Sequence, residues 1–147
     1  AGRCLLLLGK VGTGKTHLAC GIANRLLRRM SRRAVYRTVG DILIGIRASY
    51  SNRDEESETE LLRPILGADL LILDEVGATK PSEFELATLY RIINGRYESC
   101  LPTVIVSNLA ATELGEAIGE RCFDRIKEGG AVVVPFSWAS ARGEAMP

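Results

Sequence analysis

The segment "GKVGTGKTHL" at residues 9–18 follows directly on a run of four leucines at residues 5–8. Three glycines fall within residues 9–14, a density that would destabilise the interior of a helix or a strand. The apolar run "RCLLLL" (3–8) before it is typical of a strand buried on both faces. Residues 15–30 after it carry apolar side chains at helical spacing. A glycine-rich turn between a buried strand and a helix predicts a phosphate-binding loop, or P-loop.

The pattern Gly9-x-x-x-x-Gly14-Lys15-Thr16 contains the residue types that such a loop needs. Its glycines let successive backbone N–H groups face a chain of phosphates at the positive end of the following helix. Lys15 supplies a positive charge to the β- and γ-phosphates, and the Thr16 hydroxyl ligates Mg²⁺. We therefore predict ATP and Mg²⁺ as ligands, with His17 packing or forming hydrogen bonds rather than catalysing. The predicted ATP-binding residues of this segment are Gly9, Lys10, Val11, Gly12, Thr13, Gly14, Lys15, Thr16 and His17.

The composition is ordinary for a globular protein, with 46% hydrophobic residues, 25% charged residues and a net charge of +1. A length of 147 residues predicts a single domain over residues 1–147. Four cysteines form no C-x-x-C pair and there is one histidine, so we expect reduced thiols in a cytoplasmic protein and no Cys/His metal centre. No apolar run approaches the roughly 18 residues that a membrane-spanning helix needs. The charge balance neither requires nor excludes nucleic acid.

Strand-like and helix-like segments alternate along the rest of the chain. Further strands are predicted at residues 34–39, 69–75, 103–108 and 131–136, and helices at 41–50, 59–66, 82–99 and 111–130. Asp41 is expected to cap one helix and Ser82 with Glu85 another, while the polar run at 51–60 reads as a loop. Alternation of this kind predicts an α/β fold with a five-stranded parallel sheet and helices on both faces. Taken with the P-loop pattern, it indicates a P-loop NTPase. In such sheets, ligands bind at the carboxyl ends of the strands.

Two of the predicted strands end in polar residues that suit ATP hydrolysis. Asp74 and Glu75 end "LLILDE", which brings them to the same sheet edge as the P-loop. There Asp74 is placed to hold the Mg²⁺ shell, and Glu75 to orient and deprotonate a water that attacks the γ-phosphate. Asn108 ends "TVIVSN", and its amide either holds that water or the γ-phosphate, or serves as an ordinary turn residue.

An ordered set of motifs resembles one family over residues 3–143. The motifs are "GKVGTGKTHLA", "LLILDEVG", "SEFE", "IINGRY", "PTVIVSNL", "GERCFDRIKEGG" and "FSWASARG". Together they are similar to the DnaC-type helicase loaders, which are AAA+ ATPases of the initiator clade related to the transposition helper IstB. The resemblance implies an ATPase core without the C-terminal helical lid of larger AAA+ proteins. It also implies a replicative-helicase partner, held through an N-terminal domain that this sequence does not contain.

The same resemblance assigns roles to residues outside the P-loop. Asn108 corresponds to sensor 1, and Arg125, rather than Arg121, to an arginine finger that acts between associated copies of the chain. Arg142 corresponds to a second, C-terminal arginine sensor that binds ATP, although Ala141 stands where the family usually has an aromatic residue. Contacts to single-stranded DNA are implied for residues 40–66, where the candidates are Arg47, Tyr50 and Arg53.

Several alternatives stay open on the sequence alone. The motifs favour an ATPase that acts on single-stranded DNA and a helicase, but they also fit a transposition helper with a transposase partner and duplex DNA. A small-molecule kinase using the same P-loop fits less well, because Glu75 suits activation of water and no arginine-rich segment covers an acceptor. A non-hydrolysing nucleotide-binding adaptor would have no use for Glu75 and Asn108.

Two further features each have two interpretations. The basic segment at residues 25–33 is either a solvated helix end or part of a nucleic-acid track. Its arginines are Arg25, Arg28, Arg29, Arg32 and Arg33. Trp138 is expected to be a packing anchor rather than a platform on which bases stack.

Overall fold

Helices and strands alternate along the chain in the computed structural model, which describes residues 3–51 and 57–142. The strands are β1 (Cys4–Gly9), β2 (Ala34–Thr38), β3 (Leu70–Asp74), β4 (Thr103–Ser107) and β5 (Val132–Phe136). The helices are α1 (Lys15–Met30), α2 (Val39–Ser51), α3 (Glu58–Gly67), α4 (Glu83–Glu98), α5 (Ala111–Ile118) and α6 (Glu120–Glu128). None of the helices in these described ranges is long and apolar enough to cross a membrane.

The strands form one parallel sheet in the order β2-β3-β4-β1-β5. This confirms the predicted five-stranded parallel sheet. β1 lies between β4 and β5, with Leu6 opposite Ile105 on one side and Val133 on the other. Because all strands run the same way, the loops after β1, β3 and β4 open at one edge, as expected for a ligand site in this kind of sheet.

The sheet separates two apolar clusters of unequal size. Along β1, Cys4, Leu6 and Leu8 belong to the larger cluster, which also contains side chains from all five helices that follow β2. Leu5 and Leu7 point to the other face, where α1 supplies the helical side chains of the smaller cluster. The helices therefore lie on both faces, as predicted, with α1 covering one face and α2 to α6 the other.

Local signals move several predicted boundaries. The predicted helix at 111–130 is two helices, because Gly119 has φ +86° and ψ 147°, which interrupts the helical backbone. The cap of α2 was expected at Asp41, but Asp41 lies inside the helix and its amide donates to the Thr38 hydroxyl at 3.1 Å. The predicted loop at 51–60 is shorter among the described residues, since Ser51 belongs to α2 and Ser57 caps α3 through the Glu60 amide.

Arg96 on α4 is buried without a carboxylate partner among the described residues. Its guanidinium donates to the carbonyls of Ile65 and Ala68 at 2.8 and 2.9 Å, and to that of Pro102 at 2.7 Å. Burial lowers the pKa of Arg96 to about 10, which still leaves it charged near neutral pH. Through these hydrogen bonds, Arg96 connects the end of α3 to the segments that lead into β3 and β4. These two strands carry polar residues of the site.

Candidate active site

A cavity of about 660 Å³ opens at the carboxyl edge of the sheet. It lies where the sequence predicted a ligand site, and it brings together side chains from three separate motifs. Its walls include the predicted P-loop residues Val11, Gly12, Gly14, Lys15, Thr16 and His17. Asp74, Glu75 and Asn108 also line it, and Arg142 from the C-terminal segment closes one side.

Two glycines of the P-loop are closely approached by the end of β5 and by the segment that follows it. A Cβ at Gly9 would lie 2.3 Å from the Phe136 carbonyl oxygen, and one at Gly12 would lie 2.2 Å from Ser140 Oγ. Both also have positive φ, at 150° and 78°, which a side chain would strain. The sequence predicted the loop, but the reason these positions must be glycine is a long-range contact.

Lys15 is buried beneath the loop and already has acceptors for its ammonium group. Nζ donates to the carbonyls of Gly9 and Lys10, both at 2.6 Å, and lies 3.4 Å from the Thr13 hydroxyl. Burial lowers the pKa of Lys15, and the carboxylate of Asp74 opposes that shift. Gly9, Lys10 and Thr13 therefore lie around the ammonium rather than on the cavity wall.

The P-loop is joined directly to β3 by a hydrogen bond between Thr16 and Asp74. Thr16 Oγ1 donates to Asp74 Oδ2 at 2.8 Å, and Asp74 Oδ1 accepts from the Glu75 amide at 2.7 Å. A carboxylate beside a hydroxyl in an open polar cavity is the oxygen donor set that suits Mg²⁺, which takes few protein ligands and completes its shell with water and phosphate. Residues 3–51 and 57–142 contain no cluster of three or more His, Cys, Asp or Glu side chains that would form a different metal centre.

Glu75 and Asn108 face the same cavity from the ends of β3 and β4. Glu75 has φ +57°, a left-handed conformation that costs a non-glycine residue about 1–2 kcal/mol and recurs at functional sites. The neighbouring Val76 fixes this turn, because its amide donates to the Val106 carbonyl at 3.1 Å and its own carbonyl accepts from Ser107 Oγ at 2.6 Å. Ser107 is buried next to Asn108, and sequence reasoning missed it because a serine at a strand end has no distinctive pattern.

Tyr36 on the edge strand β2 was also missed. Its hydroxyl donates to Asp74 Oδ2 at 2.8 Å, so the tyrosine reaches the carboxylate that binds Thr16. Residue 36 lies in a predicted strand far from any motif, and only the pairing of β2 with β3 brings it near Asp74. No signal in the sequence would have identified it.

Residues 137–142, which we call the C-terminal strap, hold the outer side of the P-loop. The indole Nε1 of Trp138 donates to the Thr13 carbonyl at 3.0 Å, while its ring lies 4.7 Å from that of Phe136. The Ala141 amide donates to the Gly12 carbonyl at 2.8 Å. The contact at position 141 is made by the backbone, so alanine there does not prevent Arg142 from lining the cavity.

The remaining predicted residues do not line the cavity. Arg125 lies on α6, where Nε donates to Asn94 Oδ1 at 3.0 Å, Nη1 pairs with Glu128 at 2.6 Å and the guanidinium lies over the Tyr97 ring. Arg121 lies over the Tyr90 ring on the same surface.

The candidate nucleic-acid residues are likewise engaged within the chain. The guanidinium of Arg47 lies 5.4 Å from the centre of the Phe84 ring. The Tyr50 hydroxyl donates to the Glu58 carboxylate, which also pairs with Arg91. The third candidate, Arg53, lies outside the described residues.

Comparison with known proteins agrees on one family. The model of the "IstB-like ATP binding protein" family matches residues 2–126. The replicative helicase loader DnaC of Escherichia coli K12 is 37% identical over 134 residues, which are 91% of this chain and 54% of that protein. DnaC of Buchnera aphidicola from Baizongia pistaciae is 34% identical over the same shares. The chain thus spans about half the length of the curated relatives it matches.

Solved structures share the fold. A crystal structure of the DnaC helicase loader superposes with a TM-score of 0.79 at 25% identity, covering 90% of this chain and 78% of that one. The replication initiator DnaA bound to AMPPCP and single-stranded DNA gives a TM-score of 0.76 at 23% identity, covering 90% of this chain and 40% of DnaA. The arrangement of sheet and helices is therefore that of the AAA+ P-loop NTPases.

Proposed function

The chain belongs to the IstB-like ATP-binding protein family, and from this premise we propose that residues 1–147 form one AAA+ domain that binds and hydrolyses ATP. The observation that carries the proposal is the Thr16–Asp74 hydrogen bond of 2.8 Å. It joins the P-loop to the acidic strand end at a cavity that Glu75 and Asn108 also line. A phosphate cradle, an oxygen donor pair for a metal and a free carboxylate are the parts that hydrolysis of a phosphoanhydride needs.

Each side chain has a distinct task in this proposal. The loop amides and Lys15 bind the phosphates. Two of the three N–H donors of the Lys15 ammonium already go to loop carbonyls, and the third, which now has only the Thr13 hydroxyl at 3.4 Å, would turn to a phosphate oxygen. Thr16 and Asp74 hold Mg²⁺, which when bound neutralises charge on the β- and γ-phosphates. Glu75 takes a proton from the attacking water, and the Asn108 amide orients that water.

Two arginines complete the site in different ways. Arg142 already lines the cavity, which supports a role as a phosphate sensor within one chain. Arg125 lies on the outer surface of α6 and would serve the γ-phosphate of a neighbouring copy. Its side chain is partly exposed, at 37%, which leaves it accessible to another molecule.

The whole protein is proposed to load a replicative helicase onto single-stranded DNA. This rests on the similarity to the DnaC helicase loaders over 91% of the chain. A second candidate is the transposition-helper role with a transposase partner, and the observation that favours it is the IstB-like family match itself. Arg47, Tyr50 and Arg53 remain the proposed contacts to single-stranded DNA, with the arginines of residues 25–33 as the competing surface.

The test is phosphate release from ATP by the purified protein, measured with and without single-stranded DNA and with a panel of small acceptor molecules. We expect slow release that needs Mg²⁺ and no acceptor, and that changes when single-stranded DNA is added. Transfer of the phosphate to a small acceptor would favour a kinase instead. Tight ATP binding with no release under any assembly condition would favour a non-hydrolysing adaptor. Pull-down of the full-length protein with a helicase and with a transposase separates the two partner candidates.

A further inference from the structure

Tyr36 makes a contact with the site that no sequence motif describes. It lies on β2, an edge strand, and the residue is 37% exposed. In the pairing of β2 with β3, Tyr36 lies opposite Ile72, while Thr38 lies opposite Asp74. The long tyrosine side chain therefore reaches along the sheet by two residues, where its hydroxyl donates to Asp74 Oδ2 at 2.8 Å.

The Asp74 carboxylate is held by donors from three different parts of the chain. Oδ2 accepts from Thr16 on α1 and from Tyr36 on β2, and Oδ1 accepts from the Glu75 amide in the turn after β3. Asp74 is only 5% exposed, so these donors replace much of the water that would otherwise solvate its charge. Without the tyrosine hydroxyl, Thr16 would be the remaining donor to Oδ2 among the described residues.

The shared oxygen links Tyr36 to the proposed metal site. Thr16 donates its single hydroxyl proton to Asp74 Oδ2, so the lone pairs of Thr16 Oγ1 stay available for a cation. That arrangement holds only while the carboxylate keeps Oδ2 turned toward Thr16. The tyrosine hydroxyl, fixed by the sheet, opposes rotation of the carboxylate.

We propose that Tyr36 is a positioning residue for Mg²⁺: it orients Asp74 so that the Thr16 hydroxyl presents its lone pairs to the metal. This inference rests on the proposed ATP and Mg²⁺ site. The residue acts through Asp74 and does not touch the reacting atoms.

The test compares Tyr36→Phe with the unaltered protein in nucleotide binding rather than turnover. ATP affinity is measured by calorimetry at a series of Mg²⁺ concentrations and again in EDTA. Loss of a group that orients a metal-binding carboxylate typically lowers metal affinity by roughly 10–100-fold. Because Thr16 and the Glu75 amide remain, we expect the Mg²⁺ concentration for half-maximal enhancement to rise about tenfold. Affinity for Mg²⁺-free ATP should stay unchanged, while the melting temperature should fall modestly because the buried Asp74 carboxylate loses one donor.

Thr38→Val is the matched control, because it removes a hydroxyl from the same strand. That hydroxyl accepts from the Asp41 amide at the start of α2 and, among the described residues, forms no hydrogen bond with the Asp74 side chain. This variant should lower the melting temperature while leaving the Mg²⁺ requirement unchanged. An equal rise in the Mg²⁺ requirement for both variants would mean that general loosening of β2 explains the effect, and would overturn the proposal.

A double-variant comparison tests whether Tyr36 acts through Asp74. In an Asp74→Asn background, adding Tyr36→Phe should cause no further loss of Mg²⁺ affinity. A further tenfold loss there, or an unchanged Mg²⁺ requirement in the single variant, would overturn the positioning role. If the unaltered protein binds ATP equally with and without Mg²⁺, the proposed function is wrong, an outcome distinct from failure of Tyr36 alone.

Discussion

The carboxyl edge of the sheet and the outer surface of α2 and α6 use their polar side chains differently. At the edge, residues of the P-loop and of the ends of β3 and β4, which are far apart in sequence, converge on one cavity. On the outer helices, Arg47 and Arg125 each lie over an aromatic ring of their own chain. Neither of these two arginines lines that cavity.

The difference indicates where each proposed task is completed. The groups at the edge need only ATP and Mg²⁺, since a single chain already brings them together. The arginines on the outer helices need a second molecule, either another copy or a nucleic acid, and must leave or share their present contacts to reach it. A task of the first kind is intrinsic to the domain, whereas one of the second kind depends on assembly.

The largest expected effect tests the outer surface. Arg125→Ala should lower ATP turnover of the assembled protein by about 10³–10⁵-fold, the range for arginine fingers. Turnover of the unaltered protein should rise faster than linearly with protein concentration. Mixing Arg125→Ala with Lys15→Ala should restore part of the activity. Where the two variants meet in the right order, the first supplies an intact P-loop and the second supplies Arg125, so one complete site forms.

Arg121→Ala is the control for that experiment, since Arg121 lies on the same helix over a different tyrosine ring. It should retain most of the turnover. If the mixture stays inactive although both variants assemble, the finger assignment is wrong and Arg125 belongs to the surface network of α4 and α6. The outer surface of α6 would then have no proposed task in a neighbouring copy.

The next effect lies at the carboxyl edge. Glu75→Gln should keep ATP affinity but lose about 10²–10⁴-fold of the hydrolysis rate, because an amide cannot accept the proton of water. Single-turnover phosphate release measures the rate, and calorimetry measures the affinity. Near-normal turnover would move the general base elsewhere, while Asn108→Ala should give a milder loss of the same kind.

A smaller effect is expected on binding. Lys15→Ala removes a charge-assisted hydrogen bond, worth about 1.5–3 kcal/mol, and should weaken ATP binding by roughly 10–150-fold. Since Lys15 already donates to two carbonyls of the loop, we expect the lower half of this range. Unchanged ATP affinity in calorimetry would contradict the assignment of residues 9–16 as a phosphate-binding loop. The contrast between an ATP site complete within one chain and arginines that need a second molecule would then fail as well.

The smallest effect concerns nucleic acid. The logarithm of the affinity for single-stranded DNA should fall with the logarithm of the salt concentration, by about 0.7 for each phosphate contact. Arg47→Ala should remove one phosphate contact and so reduce the steepness of that slope by about 0.7, as measured by fluorescence titration at a series of salt concentrations. Arg28→Ala is the matched control on α1. A slope changed only by Arg28→Ala would move the DNA surface to the basic end of that helix.

The five strands, their parallel direction and the P-loop could be predicted because each follows from a local sequence pattern, whereas the order of the strands in the sheet was not predicted. Apolar runs bounded by glycine identify buried strands. The spacing of Gly9, Gly14, Lys15 and Thr16 identifies the P-loop within eight consecutive residues, without reference to the rest of the chain. Convergence of Asp74 and Asn108 on the loop followed from one rule of parallel sheets. The break at Gly119 was not predicted, because a lone glycine within an otherwise helical pattern is often tolerated.

The contacts that refine the site could not be predicted, because they join residues that no pattern links. Tyr36 meets Asp74 only through strand pairing, and Ser107 meets Val76 only through the packing of β3 beside β4. In the sequence, Arg96 is indistinguishable from any other arginine on a helix. In the structure, its guanidinium donates to five oxygen atoms that surround it. Side-chain reach and burial, rather than sequence spacing, decide these interactions.

The bond from the Trp138 indole to the Thr13 carbonyl has a spectroscopic consequence. Trp138 is the single tryptophan in the sequence, so its emission, excited selectively over that of the four tyrosines, reports on one place, the outer side of the P-loop. Any event that shifts that carbonyl or changes the surroundings of the exposed Trp138 ring should change the wavelength or intensity of the emission. The domain thus carries its own optical probe, and stopped-flow mixing with nucleotide would follow the loop in real time without an attached dye.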